Sequence, residues 1–246
     1  MSQVIVVASG KGGTGKTTVS TSLALALVRK QNKVLVIDCD SGMRGTDMML
    51  GITDRLVYDV SDVISGTCDF SDALYECANA KGLFTLAAPI SAEDEISPSV
   101  MKQFVDEHKN DYDYVIIDAP AGVGTGFESA AVAADRALIV VNTEPISIRG
   151  AVNIRDRLIE MGIDDMRLVI NRFDKERFVS TKLYDDLDAI IDVVGVQLIG
   201  IVPEDYRIAA LSQRGLLATN WVSATVIFDS IVQRLNGLNV PITIKL

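Results

Sequence analysis

The chain has 246 residues, 48% of them hydrophobic and 23% charged, a balance that suits a globular protein with a large core and excludes a disordered one. Its net charge of −10 opposes nonspecific attraction to DNA or to an anionic membrane, and no apolar run reaches the length of a membrane span. Cys39, Cys68 and Cys77 form no Cys-x-x-Cys pair, so they are expected to be buried thiols in a reducing cytoplasm.

Taken in order, residues 4–8 read as a buried strand that begins too early to leave room for a leader peptide. A glycine-rich run follows, Gly10-Lys11-Gly12-Gly13-Thr14-Gly15-Lys16-Thr17-Thr18. After it, Val19, Leu23, Ala26 and Leu27 recur at helical spacing. Apolar runs at 33–38, 83–87, 114–118, 137–142, 168–171 and 196–202 predict further strands covered on both faces, hence a parallel sheet. The stretches between them are long enough for crossover helices, the clearest at 147–161. Ile227, Ile231 and Leu235 mark one face of a last helix under which Trp221 should pack. The expected architecture is α/β, a doubly wound, mostly parallel sheet with helices on both faces, in one domain over 1–246. Its last residues, 236–246, form a short tail.

The glycine run matches the phosphate-binding loop G-x-x-x-x-G-K-[ST] in its required setting of strand, loop and helix. Such a loop turns successive N–H groups inward, and the helix that follows adds its positive end. Lys16 is expected to meet the β- and γ-phosphates of ATP or ADP, and Thr17 to ligate Mg²⁺. Ligands of doubly wound sheets sit at the carboxyl ends of the strands. There the sequence places Asp38-Cys39-Asp40 and Asp118-Ala119-Pro120-Ala121-Gly122. Asp118 has the position of a Walker B aspartate. Asp38 and Asp40 offer one carboxylate for the metal shell and one to orient an attacking water. Lys11 either swings across an interface to a second copy's phosphates, as an arginine finger does, or faces solvent.

With Ser41-Gly42-Met43-Arg44, Asp47, residues 57–60 and 200–205, these motifs resemble the MinD/ParA family of deviant Walker A P-loop ATPases. The resemblance runs to about residue 236 and is strongest to the MinD branch, which places the division site. It implies a slow Mg-dependent ATPase that dimerises with ATP and answers to a protein activator. Lys11 would act in trans, Asp40 would position the water, and Asp38 and Asp118 would lie near the metal. Asn171 and Arg172 match adenine-contacting positions, and Pro203, Glu204 and Asp205 match the loop that closes over the base. Alternative roles on the same core are ParA-like DNA partitioning and the positioning of a flagellum or pilus.

The tail departs from that family, whose members end in a basic amphipathic helix that docks on the inner face of the cell membrane. Here Pro241 interrupts any helix, Lys245 is the one basic residue after Asn236, and Ile242, Ile244 and Leu246 alternate as in a strand. The tail is therefore expected to lie extended on the protein body, burying Ile242, Ile244 or both, and not to hold a membrane. DNA binding would need a basic patch. Arg149, Arg155, Arg157 and Arg172 are either that patch or scattered helix-face charges. His108, in a polar stretch, is expected to be exposed.

Overall fold

The computed structural model describes residues 2–91, 96–212, 214–215 and 222–242. Trp221, Ile244, Lys245 and Leu246 lie outside them. Eight strands run in the order β3-β4-β2-β5-β1-β6-β7-β8. They are β1 (Gln3–Ser9), β2 (Val34–Asp38), β3 (Tyr75–Glu76), β4 (Leu83–Leu86), β5 (Tyr114–Ala121), β6 (Arg136–Val141), β7 (Met166–Phe173) and β8 (Leu198–Pro203). All pair in parallel except β3, a two-residue antiparallel edge beside β4. The helices are α1 (Lys16–Arg29), α2 (Gly45–Leu50), α3 (Val60–Ile64), α4 (Phe70–Ala73), α5 (Pro98–His108), α6 (Thr125–Ala131), α7 (Pro145–Glu160), α8 (Lys175–Thr181), α9 (Leu187–Val194), α10 (Tyr206–Ser212) and α11 (Val222–Leu235).

The central strands read as continuous apolar runs because both faces are covered. Alternate residues of β1 show this: Val4, Val6 and Ala8 join one core with α5, α6, α7 and α9, while Ile5 and Val7 join the other with α1 and α11. Val19, Leu23, Ala26 and Leu27 of α1 are fully buried, as their spacing predicts. Burying a side chain such as leucine contributes about 1.5–3 kcal/mol, so this packing fixes the helix that opens at the phosphate loop.

The end of α11 is pinned to the amino-terminal edge of the sheet. The Tyr114 hydroxyl at the start of β5 donates to Asn236 Oδ1, and Arg136 at the start of β6 donates to the Leu235 carbonyl. Arg234 donates three ways, to the carbonyls of Ile199 in β8, Val240 and Pro241. The tail thus folds back on its own helix through residue 241, but Ile242 stays 37% exposed and Leu238 58%, so the expected burial of Ile242 does not occur. Arg234 catches main-chain carbonyls, which leaves the Ile242 side chain free to face outward.

His108 is also not where its polar neighbours predict. Its ring stacks on Phe70 at 3.8 Å and meets Phe104 edge-on, and burial lowers its pKa. Three of the four arginines weighed as a basic patch are paired with acids. Arg157 pairs with Glu128 and Glu160, Arg155 with Asp156, and Arg172 with Glu204.

Candidate nucleotide site

The phosphate loop joins β1 to α1 in the centre of the sheet. Gly15 caps α1 in the left-handed region at φ 87°, and Gly13 takes φ 79°, conformations open to glycine at little cost. Gly10 is glycine for a different reason. A Cβ there would lie 2.2 Å from the carbonyl carbon of Gly150 in α7. Gly12 and Gly13 have nothing within 4 Å of a Cβ position, so the inner curve of the loop is an open cradle. The Ser9 hydroxyl closes its first turn by donating to the Lys11 carbonyl.

Lys16 is buried at the first turn of α1, whose free N–H groups and dipole face the same cradle. Register sets two carboxylates beside it, because Asp38 pairs with Asp118 across β2 and β5 and both are fully buried. The oxygens of Asp38 are held by the chain itself. Oδ1 accepts from the Asp40 N–H, and Oδ2 from the Thr46 N–H and hydroxyl. Asp118 Oδ1 accepts from the Ser20 hydroxyl at 2.7 Å, while its Oδ2 is buried without a hydrogen bond. Burial, then the Asp38 charge, pushes the Asp118 pKa up to about 7, although Thr17, Lys16 and Ser20 act the other way. Burial likewise raises Asp38 and the half-buried Asp40, the latter against the Lys16 charge.

A buried orphan oxygen beside the Thr17 hydroxyl suits a hard cation. The donor set fits Mg²⁺: one open carboxylate oxygen, one hydroxyl and space for phosphate oxygens and water. Thr14 Oγ1 is a second buried orphan, on the loop itself.

A cavity of about 340 Å³ adjoins the loop, lined by Gly15, Thr18, Met48, Met49, Asn171, Arg172, Pro203, Glu204 and Asp205. All five positions expected around the base are therefore gathered there. Two of them also hold the loop. Asn171 donates from Nδ2 to the Thr14 carbonyl at 2.8 Å, and Arg172 donates to the Gly13 carbonyl and to Glu204. Arg172 manages this with φ 54°, strained for a side chain of its size. Met48 and Met49, on the short helix α2, complete the cavity wall. Nothing in their spacing identified them, because α2 follows a turn and not a strand.

Lys11 stands apart from Lys16. Its ammonium meets Glu144 Oε2 at 2.5 Å in the same chain, a partner that sequence reading missed. Gly150, Ser20 and Thr46 were missed too. Each sits within an ordinary helical pattern and acquires its contact only when the strands align.

The AAA domain family matches residues 2–165. The septum site-determining protein MinD of Synechocystis is 36% identical over 98% of this chain and 92% of its own length. Among solved structures, the MinC:MinD cell division complex of Aquifex aeolicus superposes with a TM-score of 0.88 at 35% identity, covering 98% of both chains. MinD of Pyrococcus horikoshii, solved with Mg-ADP, gives 0.84 at 26% identity over 96% of each. A fold shared over the full sheet, a phosphate loop in register with both strand-end aspartates and identity sustained across nearly every residue place this chain in the MinD family of septum site-determining P-loop ATPases.

Proposed function

We propose that the chain is an ATP-dependent dimerisation switch with slow Mg-dependent hydrolysis, working in division-site placement as its relatives' names describe. The observation that carries this is the cluster of Lys16, Thr17 and the orphan oxygen of Asp118 at the mouth of the glycine cradle. Lys16 and the loop N–H groups bind the β- and γ-phosphates. Thr17 and Asp118 would hold Mg²⁺, with Asp38, already saturated by Asp40 and Thr46, acting through water. Bound Mg²⁺ supplies charge neutralisation to the phosphates. Asp40 lies beside Lys16 and orients the attacking water.

The base cavity supports adenine. The amide nitrogen of Asn171 is committed to the Thr14 carbonyl, which leaves Oδ1 as an acceptor. Adenine offers an exocyclic amine at its 6-position to such a group, where guanine has a carbonyl. A second copy would cover the loop face. Met43, Ile90, Val123 and Ile146 are exposed by 78, 72, 41 and 62%, and all follow the carboxyl ends of parallel strands around the loop. Lys11 stands among them, placed to act in trans. A MinC-like partner belongs to this reading through the Aquifex complex, and an activating protein through the family resemblance alone. The pairing of Arg155, Arg157 and Arg172 with acids speaks against a DNA surface.

Analytical ultracentrifugation tests the switch. The native chain should be dimeric in Mg·ATP and monomeric in Mg·ADP or without nucleotide. Lys11→Ala should bind nucleotide yet stay monomeric. Equal dimer fractions for the two chains in ATP would refute the role of Lys11.

A further inference from the structure

Lys11 is not idle before a second copy arrives. Its ammonium meets Glu144 Oε2, and the two side chains are 38% and 36% exposed. Glu144 ends the connection from β6, the strand beside β1, so the two loops are neighbours at the carboxyl ends of the central strands. Its backbone is fixed. It is the residue before α7, Pro145 follows at the first helical position, and its N–H donates to Asn142 Oδ1. The other carboxylate oxygen faces Arg177 at 3.6 Å. Lys11, first and foremost, holds the Glu144 pKa below the usual carboxylate range, so the carboxylate is charged at neutral pH.

We propose that Glu144 is a positioning residue that clasps Lys11 within its own chain and withholds it from the partner until a triphosphate competes for it. This rests on the reading that Lys11 acts in trans. One ammonium cannot hold its own Glu144 and reach across an interface to phosphate oxygens at the same time. Each dimer must therefore break two clasps. A γ-phosphate adds charge that a diphosphate lacks, so the clasp raises the threshold against dimers that form without ATP. Because the pair is exposed, the clasp is weak enough to release. Pairs of this kind shift an equilibrium by about 1.4- to 5-fold, and two of them compound to about 2- to 30-fold.

The test measures the dimer dissociation constant in Mg·ATP for the native chain, Glu144→Gln, Glu144→Ala and Lys11→Ala, by sedimentation at low and high salt. Thermal melting checks that each is folded. Both Glu144 variants should dimerise about 2- to 30-fold more tightly than the native chain. That gap should close as salt rises, since screening shortens from about 10 Å at 0.1 M to about 3 Å at 1 M. A purely structural role for Glu144 would leave a gap that salt does not close. If the native chain dimerises, Lys11→Ala does not, and the Glu144 variants match the native constant or dimerise less, the clasp is overturned while the trans lysine stands. If Lys11→Ala dimerises as the native chain does, the trans reading falls and the clasp with it.

Discussion

Gly10 and Gly150 meet backbone to backbone, each occupying the space a Cβ on the other residue would need. A methyl on Gly150 would lie 2.9 Å from the Gly10 carbonyl carbon and Cα, closer than carbon atoms tolerate. α7 is packed by Ile148, Ala151, Ile154 and Leu158, so it cannot back away. The loop must move instead. We expect Gly150→Ala to weaken Mg·ATP binding by about 5- to 150-fold, the equivalent of 1–3 kcal/mol of overpacking strain. Calorimetry reads the loss, and unchanged affinity would show that the loop start adapts freely.

Lys16 and Asp40 should separate binding from chemistry. Lys16→Ala removes the buried partner of the phosphates, at a cost of about 2–5 kcal/mol, so nucleotide binding should vanish from calorimetry. Asp40→Ala should keep ATP bound, prolong the dimer and abolish single-turnover hydrolysis. Hydrolysis at the native rate would move the water-orienting role to Asp38.

Asp118 should make the metal-free chain less stable as pH rises. Its folded pKa of about 7 exceeds the model-compound value of 3.8, so the folded state holds a proton that the unfolded state has released. Its contribution is greatest below about pH 4, declines through the window up to 7 and is flat above it. In EDTA, Asp118→Asn should remove this decline. Relative to the native chain it should gain stability between pH 4 and 8 by denaturant titration. Parallel profiles for the two chains would place the proton elsewhere.

How much of this was legible before the fold was known differs by kind of interaction. The seven parallel strands, the loop and the carboxylates at strand ends show in the sequence, because each needs a contiguous pattern. The edge strand β3 does not, since two residues carry no period. Asp38 and Asp118 are visible singly, but their adjacency comes from β2–β5 register. Glu144 and Gly150 belong to α7 and its start, where an acid and a glycine look like surface chemistry. His108 looks polar by its neighbours and becomes aromatic packing only when Phe70 and Phe104 converge.

Binding to anionic vesicles should be weak. A basic residue near such a surface contributes about 1 kcal/mol, and after Asn236 the chain has one, Lys245. Leu238 and Ile242 are exposed without cationic neighbours on a helix to gather them. In cosedimentation with ATP, the full chain and a chain stopped at Gly237 should both remain in the supernatant. Strong binding lost on truncation would make the tail an anchor.

The bonds of Tyr114, Arg136 and Arg234 give the molecule two poles. Phosphates, metal and the proposed partner all belong to the carboxyl ends of the strands, while residues 234–241 are tied to the amino ends of β5, β6 and β8. A six-residue strand separates the poles by about 20 Å. An attachment within residues 234–241 would therefore sit at the opposite end of the strands from the face on which two copies would meet.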